Sequence, residues 1–252
     1  MYLGIDIGGT NTRIVASESL NDVTLKDLVN FETSQNFEAG LETIVSTIKD
    51  FGVDVEAIGI GLPGSISKNG VLDGSTNLYE WVGKPLKQKL ENIFGCSVFV
   101  KNDAEIGALG EAYFGQVNEE NFFYVTWGTG VGCAQIFWEA KRAVVNRPEN
   151  RQPIYKLESK IGGNDIEKRF AKSAKELSND EWKEVLSGLS KDLPTIVRNY
   201  GFDTVVIGGG IAVQKKEQIA QIFQNEETFK VFVTNLEGRA GLYGALALLK
   251  GK

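Results

Sequence analysis

The feature that most constrains this chain is a repeat. An apolar segment, Tyr2 to Ile7, runs into Gly8-Gly9-Thr10, and a second, Thr12 to Ala16, follows at once. Near residue 130 the arrangement recurs. Phe122 to Trp127 is apolar and rich in aromatics, Gly128-Thr129-Gly130-Val131-Gly132 follows, and Cys133 to Trp138 is apolar again. So short a glycine connection between two strand-like runs predicts a hairpin in each case. Two copies of one unit predict two related lobes with a cleft between them.

The stretches around the repeats read as α/β. Phe37, Leu41, Ile44, Val45, Ile48 and Phe51 recur at helical spacing, with Gly52 as the stop. Ala57 to Ile60 reads as a short buried strand ending at Gly61-Leu62-Pro63-Gly64. Val82 to Phe94 reads as a helix, Ser97 to Lys101 as a strand and Ala104 to Tyr113 as a helix. Residues 139–163 are polar and hold Pro148 and Pro153, so they read mostly as loop. The chain reads as helical from Asn164. Ser178-Asn179-Asp180-Glu181 has the capping-box pattern ahead of an apolar stripe from Trp182 to Val197, where Pro194 is expected to kink or end the helix. Thr204 to Ile207 reads as a buried strand stopping at Gly208-Gly209-Gly210, and Ala240 to Leu249 as a closing helix. The expected lobes are 1–115 and 116–239, with the helix in 240–252 a candidate to pack on the first.

Composition narrows the chemistry. Of 252 residues, 42% are hydrophobic and 24% charged, as in a soluble globular protein. With 27 Lys and Arg against 33 Asp and Glu the net charge is −6, and no basic tract is present. Bulk electrostatics therefore gives no grip on nucleic acid or an anionic membrane. There is no histidine, which excludes His-built zinc sites, serine–histidine hydrolysis and imidazole proton shuttles. Two cysteines, Cys96 and Cys133, cannot form a four-thiolate site and read as buried free thiols in a reducing compartment. No run approaches the roughly 18 apolar residues of a membrane span, and the start lacks the pattern of a signal peptide. A cytoplasmic protein is expected.

Asp6-Ile7-Gly8-Gly9-Thr10-Asn11-Thr12 has the make-up of a phosphate cradle. Its glycines let backbone N–H groups turn toward an anion, and the hydroxyls of Thr10 and Thr12 can donate. Asp6 could hold Mg²⁺ through water. An ordinary hairpin whose Asp caps a turn is the plainer alternative. Gly128-Thr129-Gly130-Val131-Gly132 offers the same chemistry and the same alternative. It lacks the Lys of a Walker loop and sits between two strands, unlike a Rossmann turn that opens a helix. Asn102-Asp103 follows a strand, where ligands gather in α/β sheets, and Asp103 could take a proton from a substrate hydroxyl or simply cap a helix. Gly208-Gly209-Gly210 could seat a flat ring or form a tight turn. Together these are the parts that phosphoryl transfer needs: anion cradles, a metal ligand and a base.

In order and spacing these motifs resemble the ROK family of sugar kinases, in the actin-like ATPase superfamily. Asp6 to Arg13 matches the family's first phosphate motif. Gly61-Leu62-Pro63-Gly64 and Asn77-Leu78-Tyr79-Glu80-Trp81 resemble its sugar-side segments, and Val100-Lys101-Asn102-Asp103-Ala104 the stretch bearing the catalytic Asp. Gly128 to Gly132 resembles the second phosphate motif, Val206 to Ile211 the adenosine motif and Ala240 to Ala245 the closing segment. The resemblance implies a two-lobed, RNase H-like fold with an interdomain cleft. It implies Asp103 as general base, Gly64, Asn77, Asn102 and Asp103 on the sugar, and a homodimer. It also implies Gly8, Gly9, Thr10, Asn11, Thr12, Gly128, Thr129, Gly130, Gly208, Gly209 and Gly210 on the donor, with Mg²⁺ near Asp6.

The departures are equally informative. The family's usual zinc site takes a His and three Cys, and this chain lacks them, so no zinc is expected. Residues 156–182 look most like the short, zinc-less polyphosphate and ATP glucokinases. In that alignment the family's sugar-binding His falls on Lys156 and a neighbouring Glu on Pro153. A later sugar-contacting Glu falls on Glu167, or on Glu158 with the gap placed differently, and Glu149 is a candidate to replace the lost Glu. The expected activity is phosphoryl transfer from ATP or polyphosphate to a hexose, glucose first. The rival expectation is a non-catalytic sugar or nucleotide sensor on the same scaffold. The family's repressors carry an N-terminal helix-turn-helix, for which a first strand starting at residue 2 leaves no room.

Overall fold

Residues 1–250 are described, in a computed structural model. They form two compact units, Met1–Tyr113 together with the chain from Gly241, and Phe114–Ala240. Gly251 and Lys252, the end of the range expected to hold the closing helix, lie outside the described residues.

The first unit is built on strands β1 (Tyr2–Ile7), β2 (Asn11–Ser17), β3 (Lys26–Glu32), β4 (Ala57–Leu62) and β7 (Ser97–Asn102), with the small pair β5 (Ser65–Ile66) and β6 (Leu72–Gly74) between the last two in sequence. Its helices are α1 (Phe37–Asp50), α2 (Leu86–Phe94), α3 (Asp103–Phe114) and α9 (Ala240–Ala247). The sheet order is β3-β2-β1-β4-β7. The hairpin β1–β2 is antiparallel, and β1, β4 and β7 are parallel neighbours.

Strand alternation assigns the two faces of β1. Leu3, Ile5 and Ile7 join Ile58 and Ile60 of β4 against Phe37, Leu41, Ile44 and Ile48 of α1. Gly4 and Asp6 face the other way, where α9 packs. A Cβ on Gly4 would lie 3.0 Å from the Leu242 carbonyl oxygen, and one on Gly59 would run into that of Ala245. On α9 itself Gly244 sits against the Ile106 carbonyl of α3. Helix meets sheet and helix here at backbone distance.

The second unit holds β8 (Phe122–Trp127), β9 (Val131–Glu139), β10 (Arg142–Asn146), β11 (Thr204–Gly208) and β12 (Lys230–Val233) in the order β10-β9-β8-β11-β12. Its helices are α4 (Gln152–Ile161), α5 (Gly163–Phe170), α6 (Asn179–Asn199), α7 (Gly210–Gln214) and α8 (Lys216–Phe223). The pairing repeats that of the first unit strand for strand: two antiparallel ladders on one side of β8, two parallel ones on the other. Ile154, Leu157 and Ile161 of α4, the stripe of α6 and the apolar side of β8 and β11 make one core.

Several expectations change. Residues 139–163 hold β10 and α4 where a loop was expected. The polar residues occupy the outer faces of both elements, and Pro153 stands in the first turn of α4, where its missing N–H costs nothing. The helix expected from Val82 begins only at Leu86, because Gly83 has φ +74° and Pro85 disfavours a helical Lys84. Pro194 lies inside α6 without ending it: Leu189, Leu193, Ile196 and Val197 are buried on both sides of it. The capping box is present, Ser178 and Glu181 each bonding the other's backbone. Cys133 is buried as expected, but Cys96 is only half-buried. Among the described residues no helix is long and apolar enough to cross a membrane.

Two measurements follow from this packing. Gly244→Ala would push a Cβ into the Ile106 carbonyl and lower stability by ~1–3 kcal/mol. Gly188→Ala, in α6 with its nearest neighbours 3.8 and 3.9 Å away, would raise stability by ~0.5–1 kcal/mol. Denaturant titration of the two variants should give opposite signs. Burial, only partly offset by Arg147 and Arg151, pushes the Cys133 thiol up to about 11. A thiol reagent at about pH 8 should therefore modify Cys96 in the native protein and reach Cys133 only on unfolding.

Candidate active site

The parallel register of β1, β4 and β7 brings three carboxyl ends to one edge of the first sheet. The turn Gly8–Thr10 leaves β1, Pro63-Gly64 leaves β4, and Asn102-Asp103 closes β7 and opens α3. In the first turn Gly8 N–H donates to the Asn11 carbonyl at 2.8 Å. Gly9 needs its missing side chain: a Cβ there would lie 2.8 Å from Cβ of Asn77. The first glycine turn and the segment at Asn77 therefore touch within this unit. Thr10, Asn11 and Asn77 are exposed.

Thr12 is placed differently from the role expected of it. Its side chain is buried and its hydroxyl is spent on that of Thr33, at 2.9 Å. Alternation along β2 turns it into the sheet, away from an anion. Asn102 is likewise 1% exposed. Its Nδ2 donates to the carbonyls of Gly64 (2.8 Å) and Leu62 (3.4 Å), and its Oδ1 accepts from Ala104 N–H at 3.0 Å. Its own N–H goes to Glu105 Oε2, while Lys101 takes Glu105 Oε1. Asn102 thus ties the ends of β7 and β4 together through bonds within the protein. Asp103, next in the chain, is half-buried, and its Oδ1 accepts from Ala104 N–H at 2.9 Å.

Asp6 faces α9. Its carboxylate pairs with Arg13 across the hairpin through Oδ2, and Gly241 leaves it room, since a Cβ there would come within 2.6 Å of the same oxygen. Among the described residues no group of three or more His, Cys, Asp or Glu is placed to hold a metal. Hydrated Mg²⁺ asks for less: one protein carboxylate through water suffices, and that of Asp6 fits the role.

In the second unit the turn Gly128–Gly130 leaves β8 as its counterpart leaves β1. Gly128 N–H donates to Gly130 O at 3.0 Å, and the carbonyls of Gly128 and Thr129 accept from Gly163 (2.9 Å) and Asn164 (2.8 Å) at the start of α5. Glu158 of α4 accepts from Val131 N–H at 2.9 Å and occupies the space beside Gly130. Thr129 is exposed. Gly208 and Gly209 are explained by packing inside the unit. A Cβ on the first would strike the Tyr124 hydroxyl, and one on the second, at φ +93°, the backbone of Trp127. Of the three, Gly210 alone faces open space. Of the residues expected near the sugar, Lys156, Glu167 and Glu149 are exposed, and Glu158 meets the turn Gly128–Gly130.

Sequence reasoning passed over the segment Thr33–Asn36. Thr33 N–H donates to Thr10 O at 2.8 Å, Ser34 O accepts from Trp81 Nε1 at 3.0 Å, and Gln35 Nε2 reaches both Gly9 O and Asn77 O. No glycine or carboxylate marks it. Its only sequence signal is the N-cap Asn36 of α1.

Comparison with known proteins bears on the family and the fold. A glucokinase of Thermotoga maritima is 35% identical over 136 residues, 52% of this chain and 42% of that protein. A xylose repressor of Caldicellulosiruptor bescii is 29% identical over 143 residues, 53% of this chain and 36% of that protein. The matched region is thus less than half the length of these curated relatives. Among solved structures, the inorganic polyphosphate/ATP-glucomannokinase of Arthrobacter sp. strain KM superimposes with a TM-score of 0.77 at 23% identity, covering 97% of this chain and 96% of that one. That likeness establishes the fold, the α/β fold of the actin-like ATPases. Residues 2–143, more than half of the sequence, match the profile of the ROK family, and the chain belongs to that family.

Proposed function

We propose that the chain is a sugar kinase that transfers a phosphoryl group from ATP, or from polyphosphate, to a hydroxyl of a hexose, glucose first. The observation that carries this reading is the meeting of Gly9, Asn77, Gly64, Asn102 and Asp103 at one sheet edge. Asn77, exposed beside the first turn, orients the sugar. Asp103 accepts the proton of the attacking hydroxyl, most simply the primary one at C6, as that oxygen forms its bond to the transferring phosphorus and the bond to the leaving phosphate oxygen breaks. Asn102 acts from behind, holding the β7 end so that Asp103 keeps its aim.

The exposed Thr10 and Thr129, with the N–H groups of their turns, are assigned to the donor phosphates, whose growing negative charge they meet with fixed dipoles. Asp6 would hold Mg²⁺ through water, and the ion would there supply neutralisation of the donor's charge. Arg13 fixes the Asp6 carboxylate for that contact.

The second reading, a sensor without catalysis, rests on two observations: Lys156 and Pro153 stand where the resemblance implies sugar-binding groups, and a xylose repressor is among the relatives. Turnover separates the two. Phosphoryl transfer to glucose, mannose, fructose, N-acetylmannosamine and N-acetylglucosamine, with Mg-ATP and with polyphosphate, should reveal one preferred pair. Asp103→Asn should lower that rate by ~10²–10⁴ with sugar binding retained. Near-normal turnover in this variant would place the base elsewhere, and sugar binding without transfer to any acceptor would favour the sensor. The neighbouring Asn102→Ala should behave differently. It strips the bonds to Gly64 and Ala104 and should cost ~1–3 kcal/mol in denaturant titration.

A further inference from the structure

Gln35 has a side chain that reaches both halves of the first unit's site. Its Nε2 donates to Gly9 O at 3.2 Å, in the phosphate turn, and to Asn77 O at 3.1 Å, in the sugar-side segment. The amide can face only this way. Its Oε1 is buried with no donor beside it, and a flipped amide would set that oxygen against two carbonyls and forfeit both bonds. The residues around it are tied to the same two parts, one each. Thr33 holds Thr10 and Thr12, and Ser34 holds Trp81. Asn36 caps α1 through Ala39 N–H, so the segment is anchored to a helix of the core.

We infer that Gln35 is a positioning residue. It sets the spacing between the first glycine turn and the segment Asn77–Trp81, and so the distance between the phosphoryl group and the sugar hydroxyl that attacks it. The catalytic consequence rests on the kinase reading, but the brace does not. Reacting atoms must lie about 3–3.5 Å apart, and a misplacement of about 1 Å costs on the order of 100-fold in rate. Asn77 meets Gly9 by packing of its side chain, and Gln35 adds hydrogen bonds from one amide to both segments directly, beside the separate ties of Thr33 and Ser34.

Gln35→Met keeps the length of the side chain and removes the donors. Hydrogen exchange should then quicken together in residues 8–11 and 77–81. Transfer to the sugar should fall ~10–100-fold, while hydrolysis of the donor by water falls less, so the ratio of hydrolysis to transfer climbs. A mere loss of folded protein would lower both in step. Gln35→Glu supplies a second test: its carboxylate cannot donate, but its acid form can make one of the two bonds. Its kcat/KM relative to the parent should therefore rise as pH falls from about 8 toward about 5, near the range where a Glu takes up its proton. Faster exchange in only one segment, hydrolysis and transfer falling in parallel, or a flat pH ratio would overturn the assignment. If the parent protein transfers to no sugar, the kinase reading fails by itself, and the exchange pattern alone decides the brace.

Discussion

Helix α9 can reach the first sheet only because side chains are missing where it lands. Gly4 and Gly59 clear the path to the carbonyls of Leu242 and Ala245, and Gly244 lets the same helix lie on α3 at the Ile106 carbonyl. A methyl group at any of these positions would hold the helix off the strands. Much else in the unit follows from that seat. Leu242 and Leu246 cover Val15 of β2, which stabilises the hairpin beneath the first glycine turn. Gly241 stands over Asp6 and leaves its carboxylate just the room to pair with Arg13. The chain's far end thus shapes the floor of the site that its first residues begin.

The two units share one strand order, yet their glycine turns are held by different chemistry. In the first, neutral groups do the holding: the Thr33 backbone and the Gln35 amide bind carbonyls of Thr10 and Gly9. In the second, a carboxylate takes part, since Glu158 accepts the Val131 N–H. A carboxylate there takes up one of the turn's N–H donors, which on the proposed reading would oppose an anion. The start of α5 works the other way: its Gly163 and Asn164 N–H groups bind the carbonyls of Gly128 and Thr129. Duplicated topology fixes where the turns lie; the charge at each is set by what packs behind it.

The sequence was most legible where local pattern and tertiary packing agree. The strand, glycine and strand repeat announced both hairpins, and the periodicity of Phe37 to Phe51 announced α1. It was least legible where packing overrides local signals. Helix α4 is polar outside its buried Ile154, Leu157 and Ile161, too few to stand out beside Pro148 and Pro153. In α6 the buried stripe runs through Pro194, and its burial outweighs the one backbone bond that proline removes. Among site residues, glycine and carboxylate motifs could be read, but their partners could not. Nothing in Thr33-Ser34-Gln35-Asn36 distinguishes it from an ordinary polar loop, because its function lies in bonds to Gly9, Asn77 and Trp81 that are distant in the chain. For the same reason the packing need of Gly208 and Gly209, which leave space for Tyr124 and the backbone of Trp127, could not be read from the sequence.

Asn102 and Asp103 show how closely structure and chemistry are joined here. Adjacent residues at a strand end point to opposite sides, so one can be wholly interior while the next is reachable. Asn102 spends its side chain on Gly64, Leu62 and Ala104, and its backbone N–H on Glu105, itself paired with Lys101. Those bonds join β7, β4 and α3 at one point. A carboxylate works as a base only if it is held within hydrogen-bonding reach of the proton it takes. On the proposed reading the buried amide meets that demand for Asp103, while Asn77 is exposed and pressed against the first glycine turn. The strand end thus sets a fully buried, hydrogen-bonded Asn102 beside a half-buried Asp103, two adjacent residues with opposite relations to solvent.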